Sequence, residues 1–280
     1  MAGKLYLVAT PIGNLEDITY RALRTLKEVD LIGAEDTRNS IKLMNHFDIE
    51  TPMTSYHEYN KIEKGKQLVN KILEGKNIAI ITDAGTPGIS DPGEEIVRQC
   101  VEAGIEVSSI PGPAACITAL TMSGQSTRRF AFEAFLPYDK KERKLILDEL
   151  KNETRTIIIY EAPHKLLKTL NELLEALGNR SITLCKELTK LHENAEKTTL
   201  EEAVQKYTEM EPKGEFVLVV EGKSFEKIRE EEIKSFEEMT IEEHMELYLS
   251  QGMDKKEAMK LVAKDRGVSK RDIYNELLKG

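Results

Sequence analysis

The sequence has few aromatic residues and no long hydrophobic run. Aromatic residues make up 6% of the chain, and tryptophan is absent. No stretch of about 18 apolar residues occurs, so the sequence predicts no membrane-spanning helix. The apolar stretch near the N-terminus spans six residues, which is too short for the hydrophobic region of a signal peptide. We therefore expect a cytoplasmic protein.

Cysteine is also scarce. Cys100, Cys116 and Cys185 lie far apart, with no Cys-x-x-Cys spacing and no neighbouring pair of histidines. This pattern is typical of a reducing compartment and argues against structural zinc. The five histidines show no metal-ligand spacing either, so we expect no bound metal. We interpret the three cysteines as small buried hydrophobic residues.

The charge balance is acidic, with a net charge of -9 at pH 7. Proteins that coat nucleic acid without specificity rely on many Lys and Arg contacts to phosphates, which this balance disfavours. A structured RNA is still compatible with it as a specific substrate.

Short β-forming runs alternate with helical periodicity, which predicts an α/β fold with mostly parallel strands. The length of 280 residues predicts about two domains. We place one α/β domain at residues 1–113, a second at 114–223 that closes over the first, and a helical extension at 224–280. The predicted strands span residues 4–9, 30–34, 77–82, 106–110, 130–135, 155–160, 181–186 and 215–221.

The extension is rich in charge and in helix-start signals. Residues 226–246 carry 9 acidic and 3 basic side chains, whereas residues 254–280 carry 8 basic and 5 acidic ones. The last two predicted helices meet at Gly267 and resemble a helix-turn-helix that could bind a phosphate backbone. A solvated helical hairpin is the alternative. Three capping boxes mark the helix starts: Thr240-x-x-Glu243, Asp254-x-x-Glu257 and Ser269-x-x-Asp272.

The segment 82–93 (TDAGTPGISDPG) follows a predicted buried strand and is the most informative part of the chain. Gly85 and Gly88 can adopt positive φ and let a ligand approach the backbone closely. Ligands of open α/β sheets bind beyond the carboxyl ends of the strands, where this loop lies. Two further loops, at residues 9–14 and 111–115, follow predicted strands in the same way. Together the three loops predict one ligand-binding crevice.

Two common nucleotide signatures are missing. No G-x-G-x-x-G follows the first predicted strand, which argues against a nicotinamide-binding fingerprint. Gly222-Lys223-Ser224 ends like a Walker A loop, but Val217 stands where that motif needs its first glycine. The sequence therefore predicts neither a Rossmann dinucleotide site nor a P-loop.

Seven ordered motifs carry a specific resemblance that extends over residues 3–222. They are VATPIGNLEDI at 8–18, AEDTR at 34–38, DAGTPGISDPG at 83–93, PGPA at 111–114, EAFLP at 133–137, YEAPH at 160–164 and KELTK at 186–190. In this order they resemble the ribosomal RNA small subunit methyltransferase I family of the tetrapyrrole methylase-like superfamily. In the wider superfamily the loop that corresponds to residues 82–93 usually reads Gly-Asp-Pro, whereas here it begins Thr82-Asp83-Ala84-Gly85. This departure argues against a corrin or porphyrin substrate.

The resemblance implies two α/β domains of the class III methyltransferase type with a small helical appendage. It implies S-adenosylmethionine as the methyl donor and a homodimer. It implies as acceptor the ribose 2'-hydroxyl of a decoding-region cytidine, in the 16S rRNA of the small ribosomal subunit. On this basis we assign twelve donor-binding residues: Pro11, Ile12, Gly13, Asp83, Gly85, Thr86, Ile89, Ala114, Ala115, Tyr160, Leu188 and Gly214.

Acceptor chemistry and RNA contact are further expectations. A ribose hydroxyl is a poor nucleophile at neutral pH, so a base or a cation beside it would help. Lys186 and Glu187, at a predicted strand end, are the candidates, with a surface ion pair as the alternative. Glu35, Asp36 and Arg38 form either a salt-bridge cluster or part of the acceptor site. The candidate RNA contacts are Arg128, Arg129, Lys140, Lys141, Arg143, Lys144, Lys270 and Arg271. For the cluster at 128–144, the ordinary solvated start of a helix is the alternative.

Two other functions remain open at this point. A small-molecule methylase of the same superfamily would act on a free tetrapyrrole. A non-catalytic RNA-binding factor in ribosome assembly would bind RNA but release no S-adenosylhomocysteine.

Overall fold

A computed structural model describes residues 2–278, leaving out the side chains of 232, 235, 237 and 238. The chain forms two compact units. One contains the chain as far as residue 151 together with residues 155–221, and the other contains residues 152–154 and the chain from 222 onward. The predicted helical extension therefore begins within two residues of the unit boundary. The first unit contains most of both predicted α/β domains, with one sheet from each.

The first sheet is parallel throughout and has the strand order β3-β2-β4-β1-β5. Its strands are β1 (Leu5–Val8), β2 (Leu31–Ala34), β3 (Met53–Ser55), β4 (Ile78–Ile81) and β5 (Val107–Ile110). The helices on its two faces are α1 (Tyr20–Glu28), α2 (Thr37–His46), α3 (Lys61–Leu73) and α4 (Gly93–Glu102). Alternate residues of β4 serve different cores: Ile78 and Ile80 pack with α3 and α4, whereas Ala79 and Ile81 pack with α1 and α2. Burial on both faces is why this strand is a continuous apolar run.

The second sheet is mixed and has the order β6-β7-β10-β8-β9. Only β6 and β7 pair in parallel. Its strands are β6 (Phe130–Phe135), β7 (Thr156–Glu161), β8 (Ser181–Lys186), β9 (Asn194–Thr199) and β10 (Phe216–Val220). Helices α6 (Lys140–Leu150), α7 (Leu166–Leu177) and α8 (Leu200–Glu209) pack on one face, and α5 (Ala115–Met122) packs on the other.

All eight predicted strands are confirmed, and two strands were missed. β3 has three residues and β9 reads NAEKTT. Both are edge strands, and neither shows the apolar alternation that identifies a strand in sequence.

The second unit contains α9 (Phe225–Glu238), α10 (Ile241–Leu249), α11 (Lys255–Asp265) and α12 (Lys270–Leu277). The capping boxes at Thr240 and Ser269 are confirmed, and Asp254 caps α11 by accepting the Glu257 N–H. A small core joins α10, α11 and α12 through Met245, Ala258, Val262, Ala263 and Ile273. Among the described residues, no helix has the length and apolar character needed to span a bilayer.

The three cysteines are buried free thiols, as the sequence indicated. Burial raises the pKa of the Cys100 and Cys185 thiols to about 11, so both remain protonated at neutral pH. Cys100 packs in the first sheet's core, and Cys116 and Cys185 pack together on the second sheet. Their role is packing.

Candidate active site

Three loops at the carboxyl ends of parallel strands are bound to one another. The Thr10 N–H donates to the Gly85 carbonyl over 2.9 Å, and the Gly85 N–H donates to the Thr10 carbonyl over 3.1 Å. The Thr86 hydroxyl donates to the Pro113 carbonyl over 2.9 Å. These bonds hold the loops after β1, β4 and β5 together as one wall. This wall borders the ligand-binding crevice that the sequence predicted.

Gly85 and Gly88 both adopt positive φ, at 89° and 87°. They differ in what surrounds them. A Cβ on Gly85 would lie 3.3 Å from Cγ2 of Ile12, whereas a Cβ on Gly88 would meet nothing closer than 3.9 Å. At Gly85 both the backbone conformation and the close approach of Ile12 therefore favour glycine, whereas at Gly88 the backbone conformation alone does so.

The wall encloses a cavity of about 590 Å³, which is within the usual range of about 300–1,000 Å³ for small-molecule sites. The first sheet contributes polar residues to it, including Glu35, Thr82 and Asp83. Apolar side chains cover much of the remaining wall: Ile12, Ile89, Ala114, Ala115, Phe135, Tyr160, Leu188, Phe216 and Val217. An apolar enclosure with a few convergent polar groups is typical of a cofactor or substrate site.

Tyr160 organises the second sheet's side of the cavity. Its hydroxyl accepts the Cys116 N–H over 3.0 Å at the start of α5. The rings of Phe132 and Phe135 pack edge-on against it, with centroids 5.0 Å and 5.6 Å away. Burial raises the pKa of Tyr160 well above its ordinary value, so the hydroxyl stays neutral. Tyr160 thus shapes the cavity without bringing a charge to it.

Nine of the twelve residues assigned to the donor line this cavity. They are Ile12, Asp83, Gly85, Thr86, Ile89, Ala114, Ala115, Tyr160 and Leu188. Pro11 and Gly13 instead line a neighbouring cavity of about 340 Å³. A Cβ on Gly13 would lie 2.5 Å from Cγ of Lys190, so this glycine permits the first loop to approach the loop after β8. Gly214 lies beside Glu187, whose Cγ would be 2.6 Å from a Cβ there.

Lys186 and Glu187, the expected catalytic pair, are not on the cavity wall. Lys186 is paired with Phe216 of β10. Alternate strand residues share a face, so Lys186 follows Ile182 and Leu184, which pack under α7 and α8. The face that borders the cavity carries Cys185 instead. The register therefore places Lys186 on the same face as Ile182, Leu184 and Phe216, which pack under the helices of the second sheet.

Glu187 holds a turn together. Its carboxylate accepts the Glu215 N–H over 3.0 Å and lies 3.1 Å from Lys190 Nζ. The hydrogen bond from the Glu215 N–H, with Lys190 beside it, lowers the pKa of Glu187. A carboxylate stabilised in its ionised form is a weaker proton acceptor. Glu187 therefore forms an ion pair, as the alternative to a catalytic role proposed, but its partner is Lys190 and not Lys186.

The cluster around Glu35 is a polar network at the ends of β2 and β4. Glu35 Oε2 accepts the Thr82 hydroxyl over 2.8 Å. The Asp83 carboxylate accepts the Asp36 N–H and the amide of Asn39, both over 3.2 Å. Two hydrogen bonds from the Arg38 side chain, with its backbone N–H, lower the pKa of Asp36 to about 2. Of this network, Glu35, Thr82 and Asp83 line the cavity.

Arg143 requires a correction among the expected RNA contacts. Its side chain is 9% exposed and forms an ion pair with Glu172 at 2.6 Å. It also donates to the Thr169 hydroxyl over 2.7 Å, and Thr169 in turn donates to Glu161. Arg143 is therefore an internal structural residue. Arg128, Arg129, Lys140, Lys141, Lys144 and Arg271 are exposed, and Lys270 is half-buried.

Several cavity residues were missed from the sequence. Glu161 ends β7, and Ala162, Pro163 and His164 follow it, in a motif from which only Tyr160 had been assigned to the site. Phe135 belongs to the motif before it, so both signals were available. Glu215, Phe216 and Val217 carry no motif and reach the cavity because β10 is the central strand of the second sheet.

Nothing in residues 2–278 groups three or more His, Cys, Asp or Glu side chains in an arrangement that could hold a metal ion. The polar residues that line the cavity include Glu35, Thr82 and Asp83. The carboxylates among them can accept protons or hydrogen bonds.

Comparison with known proteins agrees with this geometry. The family model described as Tetrapyrrole (Corrin/Porphyrin) Methylases matches residues 4–204. The chain is 53% identical to the Ribosomal RNA small subunit methyltransferase I of Halalkalibacterium halodurans, covering 98% of this chain and 94% of that protein. It is 49% identical to the Bacillus subtilis protein of the same name, covering 98% and 93%.

A solved structure shares the fold. The uroporphyrin-III C-methyl transferase from Thermus thermophilus, complexed with S-adenyl homocysteine, aligns with a TM-score of 0.54 at 20% identity. The alignment covers 77% of this chain and 92% of that one. The family match and the two close relatives lead to one conclusion: this chain belongs to the tetrapyrrole methylase family and, within it, to the ribosomal RNA small subunit methyltransferase I group.

Proposed function

We propose that this protein uses S-adenosylmethionine to methylate the ribose 2'-hydroxyl of a cytidine in the decoding region of 16S rRNA. The observation that carries the proposal is the cavity of about 590 Å³ behind three loops that are hydrogen-bonded to one another. The names of the two relatives support a ribosomal RNA acceptor. The S-adenyl homocysteine complex of the Thermus protein supports the donor.

The cavity residues fit such a donor. Gly85 leaves room where a Cβ would press against Ile12, so a flat or extended ligand can lie against the backbone. Ile89, Leu188 and Val217 offer apolar surface for an aromatic base, and Asp83 and Thr82 offer hydrogen-bond acceptors. We propose that the nine lining residues hold the donor, and that Pro11, Gly13 and Gly214 support the loops behind it.

The protein's contribution to the reaction is mainly positioning. When bound, S-adenosylmethionine supplies a methyl group that is already activated by its sulfonium. Holding two reactants in line can contribute up to about 7–11 kcal/mol of barrier reduction. The loop after β8 assists because Glu187 fixes it through Glu215 and Lys190. We therefore propose a supporting role for Glu187, outside the reacting groups.

RNA contact is proposed for exposed basic side chains on two parts of the chain. Arg128, Arg129, Lys140, Lys141 and Lys144 flank β6 and the start of α6. Lys270 and Arg271 begin α12. Arg266 is excluded from this set, because it donates to His244 Nδ1 and to the carbonyls of Met239 and Thr240. We further propose that the protein is cytoplasmic and forms a homodimer. Sedimentation would test the oligomeric state.

The direct test is transfer of label. The protein is incubated with methyl-labelled S-adenosylmethionine and either small ribosomal subunits or free 16S rRNA, and the labelled nucleotide is mapped. The proposal predicts one labelled cytidine ribose and release of S-adenosylhomocysteine. A labelled free tetrapyrrole would identify a small-molecule methylase. Binding of RNA without any methyl transfer would identify an assembly factor, and both results would overturn the proposal.

A further inference from the structure

A second groove opens beside the donor cavity, at the carboxyl ends of β2 and β3. Its volume is about 310 Å³, and its lining includes Glu35, Asp36, Arg38, His57, Glu58 and Tyr59. Glu35 lines both this groove and the donor cavity. A ligand in the groove and a ligand in the cavity would therefore meet at one carboxylate.

Glu35 has an oxygen to spare at this junction. Its Oε2 accepts the Thr82 hydroxyl over 2.8 Å, and this bond fixes the side chain. Oε1 forms no hydrogen bond or ion pair with any residue between 2 and 278. The other carboxylates nearby are occupied: Asp36 by Arg38, and Asp83 by Asn39 and the Asp36 N–H.

The charge of the groove indicates which part of a nucleotide it would accept. The guanidinium of Arg38 and three carboxylates, from Glu35, Asp36 and Glu58, line the groove. Asp36 is paired with Arg38 and Glu58 with Lys61, which leaves the charge of Glu35 without a cationic partner among the described residues. Such a lining disfavours a phosphate and favours groups that donate hydrogen bonds. The amino group of cytosine and a ribose hydroxyl are both donors of this kind.

Two further side chains suit an unpaired base. Tyr59 is 97% exposed at the groove, and exposed aromatic rings are the usual stacking platforms for bases taken out of a helix. His57 is fixed by Asn60, whose side-chain nitrogen lies 3.3 Å from Nε2. His57 Nδ1 is buried and has no partner within the described residues, which leaves a polar atom of a groove residue unsatisfied.

We propose that this groove receives the acceptor nucleotide, with Tyr59 stacked on its base and Glu35 accepting the proton of the reacting ribose hydroxyl. The inference rests on the proposed function and deepens it, because it assigns the acceptor side to the first sheet. The ribose oxygen forms its bond to the methyl carbon as the carbon–sulfur bond breaks, and the electron pair of that bond stays on sulfur. The hydroxyl proton passes to Glu35, which returns it to solvent.

The first experiment measures the role of Glu35. Glu35→Gln keeps an acceptor for Thr82 but removes the negative charge, so we expect single-turnover methyl transfer to small subunits to fall by about 10²- to 10⁴-fold. Donor affinity, measured by calorimetry, and affinity for small subunits in the absence of donor should each stay within about twofold. Glu63→Gln is the matched control, because Glu63 is 79% exposed and, among the described residues, pairs only with Lys66.

The second experiment measures stacking without any methyl transfer. Binding of unmethylated small subunits is titrated without donor for Tyr59→Ala, Tyr59→Phe and Tyr20→Ala. Loss of one stacking ring should weaken binding by roughly 5- to 150-fold in Tyr59→Ala. The other two variants should bind normally, because Tyr59→Phe keeps the ring and Tyr20, 93% exposed, lies on α1 outside the groove.

The outcomes separate this inference from the function on which it rests. If the unaltered protein transfers no methyl group to subunits, the proposed function fails. If it does, and Glu35→Gln reacts at a normal rate, the role of Glu35 is overturned. If Tyr59→Ala binds subunits as tightly as Tyr20→Ala does, the base lies elsewhere and the groove is not the acceptor site.

Discussion

The first sheet is parallel throughout, whereas in the second sheet β6 pairs with β7 in parallel and the other three pairings are antiparallel. This difference decides where each sheet can place its loops. In the parallel sheet all carboxyl ends meet at one edge, so the polar residues after β2 and β4 converge there. In the mixed sheet the carboxyl ends of β6, β7 and β8 share one edge with the amino ends of β9 and β10. This edge contributes largely apolar residues to the cavity, including Phe135, Tyr160, Leu188 and Val217.

The two sheets also use their carboxylates differently. In the second sheet Glu161 accepts hydrogen bonds from Thr169 and from the Ala162 N–H. Glu187 is held by Glu215 and Lys190. In the first sheet Glu35 keeps one oxygen without a partner between residues 2 and 278. We infer that the second sheet stabilises and shapes the site, whereas the first sheet supplies its reactive polar groups.

The largest expected effect on stability comes from removing Arg143. Arg143→Ala would leave Glu172, and the chain of hydrogen bonds through Thr169 to Glu161, without its buried cation. Breaking such a pair costs about 3–5 kcal/mol, and we expect the unfolding free energy to fall by about 3 kcal/mol in a denaturant titration.

Lys144→Ala is the control for Arg143, because Lys144 is its exposed neighbour. Its unfolding free energy should change by no more than about 0.5 kcal/mol. If Arg143→Ala is instead as stable as Lys144→Ala and loses RNA affinity, Arg143 contacts RNA and is not an internal structural residue of the second sheet.

The next effect concerns the glycines of the loop after β4. Gly85→Val would press against Ile12 beside the donor cavity, whereas Gly88→Val places its Cβ at least 3.9 Å from its neighbours. Both variants carry the strain of positive φ, and Gly85→Val also overpacks against Ile12, so it should lose about 1–3 kcal/mol more stability than Gly88→Val. Because the overpacked contact borders the donor cavity, we expect only Gly85→Val to weaken donor binding, by roughly 5- to 150-fold in calorimetry. Equal losses of affinity would show that strain alone is responsible.

The smallest effect is the pH dependence of Glu187. Its folded pKa lies below its ordinary value, chiefly because it accepts the Glu215 N–H. The ionised carboxylate therefore stabilises the fold fully above the ordinary pKa of about 4.5, and this contribution is lost as the pH falls through the lowered folded value. The stability difference between the unaltered protein and Glu187→Gln should be present at pH 6 and should shrink toward pH 3. A difference that is constant with pH would contradict the assigned interaction.

Much of the fold was predictable because buried strands leave a strong local signal. β4 (IAII) and β10 (FVLVV) are continuous apolar runs, and Gly178 ends α7 with a positive φ of 73°. β3 and β9 were missed because they lie at sheet edges and carry polar residues. The wall of the donor cavity was predictable to a similar degree, because loops rich in glycine and proline at the carboxyl ends of parallel strands are typical of ligand sites.

The polar chemistry was less predictable, because it depends on tertiary partners. Lys186 ends β8 and Glu187 follows it, much as Glu35 follows β2, and nothing in the local sequence distinguishes these two strand ends. The pairing of Lys186 with Phe216 and the contact of Glu187 with Glu215 join residues about 30 positions apart. Arg143 was likewise grouped with surface cations until its contact with Glu172 showed it to be internal.

The most direct test of the division between the sheets compares two glutamates with the same substitution. Single-turnover methyl transfer to small ribosomal subunits is measured for Glu35→Gln and Glu187→Gln at saturating S-adenosylmethionine, with folding verified for both. We predict a loss of at least about 10²-fold in Glu35→Gln and a rate within about threefold of the unaltered protein in Glu187→Gln. A large loss in Glu187→Gln together with a normal rate in Glu35→Gln would contradict the account and return the acceptor chemistry to the second sheet.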